Sequence, residues 1–141
     1  MNPYTHRFFA LLILGVFVLA GCGGADKPVR VSGVVRSKGK PVPDLVVHFL
    51  PEKGRESTGI TDNSGAFVLK YGQDTEGAVR GKHKVFVDYR PHDAKQEAEI
   101  AMGKAGHSPE MKSLLTKYSK KASTLTYEVT QDGQEIPIEL E

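Results

Sequence analysis

The chain has 141 residues, which is enough for one domain and leaves little room for two. Of these residues 39% are hydrophobic, and the formal net charge is +2 at pH 7. The near balance of charge and the lack of an arginine-rich stretch exclude a general attraction for nucleic acid. The single cysteine excludes an intramolecular disulfide, which is unusual for a small exported domain and suggests another role for that residue.

The amino-terminal segment has the parts of a signal peptide. Arg7 provides positive charge, and residues 8–20 form an unbroken run of apolar or small residues. As a helix this run would be about 20 Å long, short of the roughly 30 Å hydrocarbon core of a bilayer. We therefore expect residues 1–21 to be a cleaved leader rather than a membrane span.

The leader ends in Leu19-Ala20-Gly21-Cys22, which resembles the lipobox of bacterial lipoproteins. The resemblance implies that the Cys22 thiol takes a diacylglyceryl group and that cleavage occurs just before it. The small residues Ala20 and Gly21 suit a peptidase that grips an extended backbone closely. Two or three acyl chains would give lasting membrane anchorage. An ordinary secretory signal or an uncleaved anchor is the alternative.

Residues 22–28 are predicted to be the lipidated cysteine and a flexible tether. The six residues after Cys22 reach at most about 20 Å, so the domain is expected to sit close to the membrane. Gly23 stands where some bacteria read an aspartate as an inner-membrane retention signal. Its presence favours the outer membrane of the cell envelope over the inner membrane.

From Val29 onward, apolar and polar residues alternate with period two, which is typical of half-buried strands. The pattern predicts strands over residues 29–36, 45–50, 57–61 and 66–70. Residues 38–41 are predicted to form a turn.

Residues 62–65, Asp-Asn-Ser-Gly, are predicted to form a tight hairpin turn, because Asp and Asn bond their own backbone and Gly accepts positive φ. In the strand that follows, Phe67 and Leu69 are expected to point inward.

The next strand is expected after Gly81, with Val85 and Val87 on one face. The pattern then changes to two short helices. Asp93 is expected to cap the first, with Gln96 completing a capping box. This helix would have a weak apolar stripe of Ala94, Ala98, Ala101 and Met102.

Ser108 and Pro109 begin the second helix. It is expected to pack on the sheet through Met111, Leu114, Leu115 and Tyr118. Strands over 125–129 and 136–140 finish the chain. A total of about seven strands predicts an all-β sandwich with a short helical insertion.

Several of these segments resemble carboxypeptidase regulatory-like domains. Residues 31–35 and 39–51 are similar to the opening strands of that family, and residues 61–67 match its T-D-x-x-G-x-F motif. Gly81, placed before residues 84–87, matches its closing strand. The match covers about 60 residues, and the tail resembles small bacterial lipoproteins that carry this domain alone.

The resemblance implies a transthyretin-like β-sandwich over residues 29–141 that acts as a non-catalytic partner of another molecule. The helical insertion after Tyr89 departs from the minimal pattern of the family.

The histidines do not form a recognised metal motif. His48, His83, His92 and His107 lack any zinc spacing, and no second cysteine is present, so we expect surface or turn positions and no metal. Residues 62–65 lack the alternating carboxylates and distal glutamate of a calcium loop, and a structural turn is expected there.

An enzyme is not expected. One transthyretin-like relative is a purine-catabolic hydrolase that needs paired histidines, an arginine and a Tyr-Arg-Gly-Ser terminus, whereas this chain ends Ile-Glu-Leu-Glu. No cofactor is predicted. Tyr71 is the best exposed ring for carbohydrate, but one ring makes a poor binding platform. The lysines at positions 112, 117, 120 and 121 could meet anionic lipid or polymer at about 1 kcal/mol each; a solvated helix face is favoured.

The sequence thus predicts a membrane-anchored, non-catalytic structural or protein-interaction module of the bacterial cell envelope. The alternative is an envelope polysaccharide-binding module. The expected partners are the membrane, through lipid on Cys22, and an envelope protein or polysaccharide. Residues 92–107 are expected to be dispensable for folding but needed for recognition, since loops on a rigid scaffold often bind.

The lipidation prediction can be tested at Cys22. Cys22→Ser should release the protein from membranes or leave an uncleaved precursor, because the lipid transfer requires a thiol. Membrane fractionation and labelling with radioactive palmitate measure this. Palmitate on the Cys22→Ser variant would contradict the prediction.

Overall fold

The computed structural model describes residues 27–91, 93–103 and 107–141. The predicted leader, Cys22 and most of the tether lie outside these residues. The described residues form a β-sandwich of two sheets with two helices. The strands are β1 (Val31–Ser37), β2 (Lys40–Pro41), β3 (Leu45–Pro51), β4 (Ser57–Ile60), β5 (Ala66–Val68), β6 (Lys70–Tyr71), β7 (Thr75–Glu76), β8 (Gly81–Tyr89), β9 (Thr126–Val129) and β10 (Gln134–Leu140), and the helices are α1 (Ala94–Ala101) and α2 (Pro109–Lys117).

The first sheet is built around β1. Strand β10 pairs with one edge of β1 in parallel, and β2 and β5 pair with the other edge in antiparallel orientation. The second sheet has the order β7-β6-β4-β3-β8-β9 and is antiparallel throughout its described pairs. Three of the ten described strands have only two residues, which leaves the seven longer strands that the sequence predicted.

The inner faces of the two sheets form the core. The predicted alternation is confirmed in β3, where Leu45, Val47 and Phe49 are fully buried and the residues between them are half-buried. In β1, Val31 and Val35 are buried in the same way. Burial of one such side chain contributes about 1.5–3 kcal/mol to the free energy of folding. The inward-facing residues of these alternating strands therefore provide most of the driving force for folding.

The Phe67 ring lies between the two sheets, over one glycine of each. A Cβ atom at Gly33 in β1 would come within 2.8 Å of the ring and would collide with the Ile136 carbonyl. A Cβ atom at Gly59 in β4 would come within 3.0 Å of the same ring. The ring also contacts Phe49, with 6.4 Å between centroids. Both glycines are therefore required for Phe67 to fill this part of the core.

The segment 66–70 is not one strand as predicted. β5 pairs with β1 in the first sheet, whereas β6 pairs with β4 in the second. The chain crosses between sheets at Leu69, whose N–H donates to the Val31 carbonyl at 2.9 Å. The continuous alternation hides this crossing, because Phe67 and Leu69 are buried and Tyr71 is half-buried, all at odd-numbered positions.

The turn at residues 62–65 is tight, but it is not a hairpin between paired strands. The Asp62 carboxylate accepts hydrogen bonds from the Ser64 N–H at 2.8 Å and the Ala66 N–H at 3.0 Å. Its flanking strands, β4 and β5, belong to different sheets. The turn therefore connects the two layers of the sandwich.

Helix α1 begins as predicted, since the Asp93 carboxylate accepts a hydrogen bond from the Gln96 N–H at 2.7 Å. Its predicted apolar stripe is wrong. Ala94, Ala98, Ala101 and Met102 are exposed, and the partly buried residues of the helix are instead Gln96, Glu99 and Ile100. Helix α1 packs on the domain through polar contacts, such as the hydrogen bond that the Gln96 side-chain amide donates to the Tyr89 hydroxyl at 3.3 Å. Burial of the alanines is therefore not what holds the helix in place.

Helix α2 confirms its prediction. The Ser108 hydroxyl caps the helix by accepting from the Met111 N–H at 3.2 Å. Leu114 and Tyr118 are buried in the core, with Met111 and Leu115 packed against it. The second helix is therefore part of the folded core, whereas the first contributes no buried residue.

A pair of glycine substitutions can separate backbone strain from collision. Gly39 and Gly65 both have positive φ, +76° and +74°, but a Cβ atom at Gly39 meets nothing within 4 Å. At Gly65 it would collide with the Val35 carbonyl. We expect Gly39→Ala to cost about 1 kcal/mol from left-handed strain alone. Gly65→Ala should cost at least about 1 kcal/mol more, because hydrogen bonds at Val35 would shift.

Denaturant unfolding of the two variants measures the difference in the free energy of unfolding. If both variants lost the same free energy of unfolding, the 62–65 turn would be able to move away from β1 without an energetic cost.

Candidate functional site

The sandwich has two ends with different structure. Residues 27–30 lead into β1 at one end, where the chain bridges to Ala78 and where the 130–133 turn also lies. We call this end the tether pole. At the opposite end, β1 finishes at Ser37 and β8 finishes at Tyr89, after which both helices follow. We call that end the helix pole.

A cleft of about 570 Å³ lies at the helix pole, between the turn joining β1 and β2 and helix α2. A smaller cavity of about 280 Å³ adjoins it on the side of α1. The two share the lining residues Pro43, Ser108 and Met111. The helix pole therefore has a continuous concave surface that reaches from the β1–β2 turn to the first helix.

The floor of this cleft is apolar, with the buried residues Val42 and Leu114 and the partly buried Met111. Lys38 and Lys40 are exposed along one rim. In the smaller cavity, the His107 ring packs edge-on against Tyr89, with 4.3 Å between centroids. An apolar floor with charged rims suits binding of an extended or shallow partner.

The four lysines singled out from the sequence are all exposed, but two are engaged within the chain. The Lys117 ammonium donates to the Glu141 carbonyl at 2.5 Å and lies 5.3 Å from the Tyr118 ring centroid. The Lys120 ammonium lies 5.5 Å from the centroid of Phe86. These contacts cover apolar rings with the lysine side chains.

His48 lies on the outer face of the second sheet, as predicted. Its Nδ1 atom is 2.6 Å from the Glu56 carboxylate and its Nε2 atom is 3.2 Å from the Asp88 carboxylate. The ring stacks on Phe86, with centroids 4.4 Å apart. Because the two carboxylates approach opposite edges of the ring, they cannot converge on one ion. Within residues 27–91, 93–103 and 107–141, no group of three or more His, Cys, Asp or Glu could hold a metal.

His83 is fully buried, so the predicted surface or turn position is wrong. Strand β8 begins at Gly81, and position 83 therefore faces inward with Val85 and Val87. The Nδ1–H group donates to the Gly81 carbonyl at 2.9 Å, which leaves Nε2 buried without a hydrogen-bond partner among the described residues. Burial lowers the pKa of His83 below its ordinary value, because a charged ring would lack water.

His107 is partly buried at the helix pole, and His92 lies outside the described residues. Tyr71 is half-buried in β6 rather than freely exposed. Hydrogen bonds from Ser64 and Ala66 lower the pKa of Asp62, so its carboxylate serves the turn. Sequence reasoning missed the cleft because its walls come from residues far apart in the chain.

None of the described helices is long and apolar enough to cross a bilayer. Comparison with protein-family models, curated proteins and solved structures gives no match to this chain. The resemblance to carboxypeptidase regulatory-like domains therefore stays a prediction.

The buried His83 should make the fold sensitive to acid. Its pKa is lowered in the folded state, so the unfolded chain binds the proton more readily, and stability falls as pH drops below the ordinary value of about 6.5. The decrease in the free energy of unfolding that is caused by His83 approaches at most about 1.4 kcal/mol per pH unit.

His83→Gln keeps a donor for the Gly81 carbonyl but cannot gain a proton. The free energy of unfolding is measured between pH 7.5 and pH 5, roughly the range over which histidine titrates. As the pH falls, this free energy should decrease less in the variant than in the wild type. If the free energy of unfolding fell equally with pH in the variant and the wild type, the prediction that the folded state keeps His83 uncharged would be contradicted.

Proposed function

We propose that this protein is a lipid-anchored, non-catalytic interaction module of the bacterial cell envelope, with the cleft of the helix pole as its recognition surface. One observation carries the proposal. Helix α1 contributes no buried residue, yet it is capped by Asp93 and held to Tyr89 by Gln96. An element that is ordered without serving the core is best explained by a role in binding.

The interactions of His48 and His83 support a non-catalytic role. General acid–base catalysis needs a histidine that can reach a substrate. His83 is sealed in the core, and both ring nitrogens of His48 face carboxylates of the same chain. Neither of these two rings opens onto the cleft, and the His107 ring, which lines the smaller cavity, packs edge-on against Tyr89.

The anchoring part of the proposal depends on the sequence. The lipobox-like residues ending at Cys22 follow a leader of the right length and charge. The carboxypeptidase regulatory-like resemblance agrees with a module that works through a partner. Polysaccharide binding has less support, since the half-buried Tyr71 offers no open ring platform.

Photo-crosslinking in intact cells tests the recognition surface. A photoreactive amino acid in place of Met102, which is 67% exposed on the helix pole, should crosslink to a defined envelope protein. The same amino acid in place of Glu128, exposed on β9 of the second sheet, is the matched control. Equal crosslinking at both positions, or none at position 102, would contradict the proposed surface.

Replacing residues 92–107 by a short Gly-Ser linker separates folding from recognition. The free energy of unfolding should fall by only about 1–3 kcal/mol, since the Gln96–Tyr89 hydrogen bond and the His107–Tyr89 ring contact are lost but no buried residue of α1 is. Crosslinking from a photoreactive residue in place of Lys38, on the remaining rim, should disappear. Collapse of the fold would show that the insertion is structural, and retained crosslinking would show that it is idle.

A further inference from the structure

We infer that the Asp132–Gly133 peptide is a latent modification site, at which the aspartate can convert to isoaspartate, and that Arg30 keeps this site unreactive in the folded protein. The site lies in the turn that joins β9 to β10. The conversion uses water as its only co-reactant. The inference is independent of the proposed function, because it concerns the chemistry of this turn alone.

The turn contains a dipeptide that is prone to cyclise. Asp132–Gly133 is the only Asp-Gly pair in the sequence, and the sequence has no Asn-Gly pair. Because glycine has no Cβ atom, its backbone nitrogen can approach the side chain of the preceding residue without obstruction. An aspartate followed by glycine therefore forms a ring more readily than an aspartate followed by any larger residue.

The turn nevertheless requires both residues. Gly133 has a φ of +74°, in the left-handed region, although a Cβ atom there would meet nothing within 4 Å. Glycine is therefore favoured by the backbone conformation and not by a lack of space. The Asp132 carboxylate accepts a hydrogen bond from the Arg30 N–H at 2.8 Å, which fixes the chain just before β1. The features that build the turn are thus the features that make it reactive.

Isoaspartate forms in two balanced steps. In the first, the Gly133 backbone nitrogen attacks the Cγ atom of the protonated Asp132 carboxyl group. A bond forms between nitrogen and Cγ, and the amide proton and the carboxyl hydroxyl leave as water, which gives a cyclic succinimide. In the second, water adds to the main-chain carbonyl of this ring, and the bond from that carbonyl to nitrogen breaks. The main chain then runs through Cβ and Cγ of residue 132, with no change in mass.

The side chain of Arg30 opposes the first step at the carboxyl group. One guanidinium nitrogen donates to Asp132 Oδ2 at 3.1 Å, and the Nε–H group donates to Oδ1 at 3.4 Å. These hydrogen bonds favour the carboxylate anion and lower the pKa of Asp132 below its ordinary value. The anion is a poor electrophile, because it has no hydroxyl group that can leave as water.

The backbone of Arg30 opposes the first step at the attacking nitrogen. The Gly133 N–H donates to the Arg30 carbonyl at 2.9 Å. Attack on Cγ requires this nitrogen to lose its proton, so the hydrogen bond must break first. The preceding residue holds Arg30 in position, since the N–H groups of Val29 and Ala78 each donate to the carbonyl of the other at 2.9 Å.

The modification would act on the first sheet. Strand β10 starts at Gln134, directly after the site, and Gln134 is in register with Val31 of β1. Isoaspartate adds a methylene group to the main chain and moves Gly133 relative to the Arg30 carbonyl. Opening of the chain at residues 29–30 would therefore permit a covalent change that weakens the start of the β1–β10 pairing.

Ageing of the purified full chain tests the inference. Wild type and Arg30→Gln are incubated under native conditions at one mildly acidic pH. Isoaspartate is measured with an isoaspartyl methyltransferase and labelled S-adenosylmethionine, and mass spectrometry identifies the labelled peptide. Label at residue 132 should accumulate about threefold faster or more in Arg30→Gln, which corresponds to the loss of an exposed ion pair. Equal rates in the two folded proteins would overturn the inference.

Arg36→Gln is the matched control. Arg36 is another exposed arginine, and its guanidinium lies 3.9 Å from the Glu139 carboxylate across the β1–β10 pair. Its replacement removes the same charge and a similar ion pair but leaves the contacts of Arg30 in place. The rate at residue 132 should therefore stay at the wild-type value. An equal rise in Arg36→Gln and Arg30→Gln would show that isoaspartate follows general destabilisation, and it would overturn the role of Arg30.

Two further measurements separate the folded contacts from the intrinsic chemistry. In denaturant, wild type and Arg30→Gln should gain isoaspartate at the same rate, because the contacts of Arg30 are absent there. Addition of Gly133→Ala to Arg30→Gln should remove most of the extra label, since a methyl group beside the attacking nitrogen slows cyclisation. A difference that persists in denaturant would overturn the inference, as would extra label that Gly133→Ala does not remove.

Discussion

The sandwich depends on the packing of Phe67 against bare backbone in both sheets. Its ring lies over Gly33 in one layer and Gly59 in the other, at distances that leave no room for a side chain at either position. Phe49 then packs against Phe67 and against His83 and Tyr127, with centroid distances of 5.8–6.4 Å. This cluster sets the spacing of the layers, and every strand that bears one of its rings is positioned by it.

The two helices contribute differently to this core. Helix α2 closes the sandwich through Leu114 and Tyr118, whereas α1 adds no buried residue. The cleft is formed where the two meet the turn joining β1 and β2. Its shape is thus supported by α2 and the β1–β2 turn and completed by α1, which contributes no buried residue to the core. Such an arrangement would let the cleft vary while the scaffold stays unchanged.

Local periodicity predicted the inward residues of β1, β3 and β8 and the caps at Asp93 and Ser108, because these features depend on neighbours within a few positions. It could not predict that the segment 66–70 divides between two sheets, since alternation specifies a face but not a partner strand. The start of β8 decides the burial of His83, and a shift of one residue would have exposed it. The cleft joins distant segments and has no local signal, and Cys22 lies outside the described residues.

The parallel pairing of β1 with β10 has a consequence for the time at which the fold can form. All seven residues of the first strand are in register with the last strand, from Val31 opposite Gln134 to Ser37 opposite Leu140. Contacts of such long sequence separation form slowly, because the loop between them must close first. While the chain emerges from a ribosome, β1 lacks its parallel neighbour until residues 134–140 have been synthesised. The first sheet is therefore complete only after the last strand, β10, is free to pair with β1.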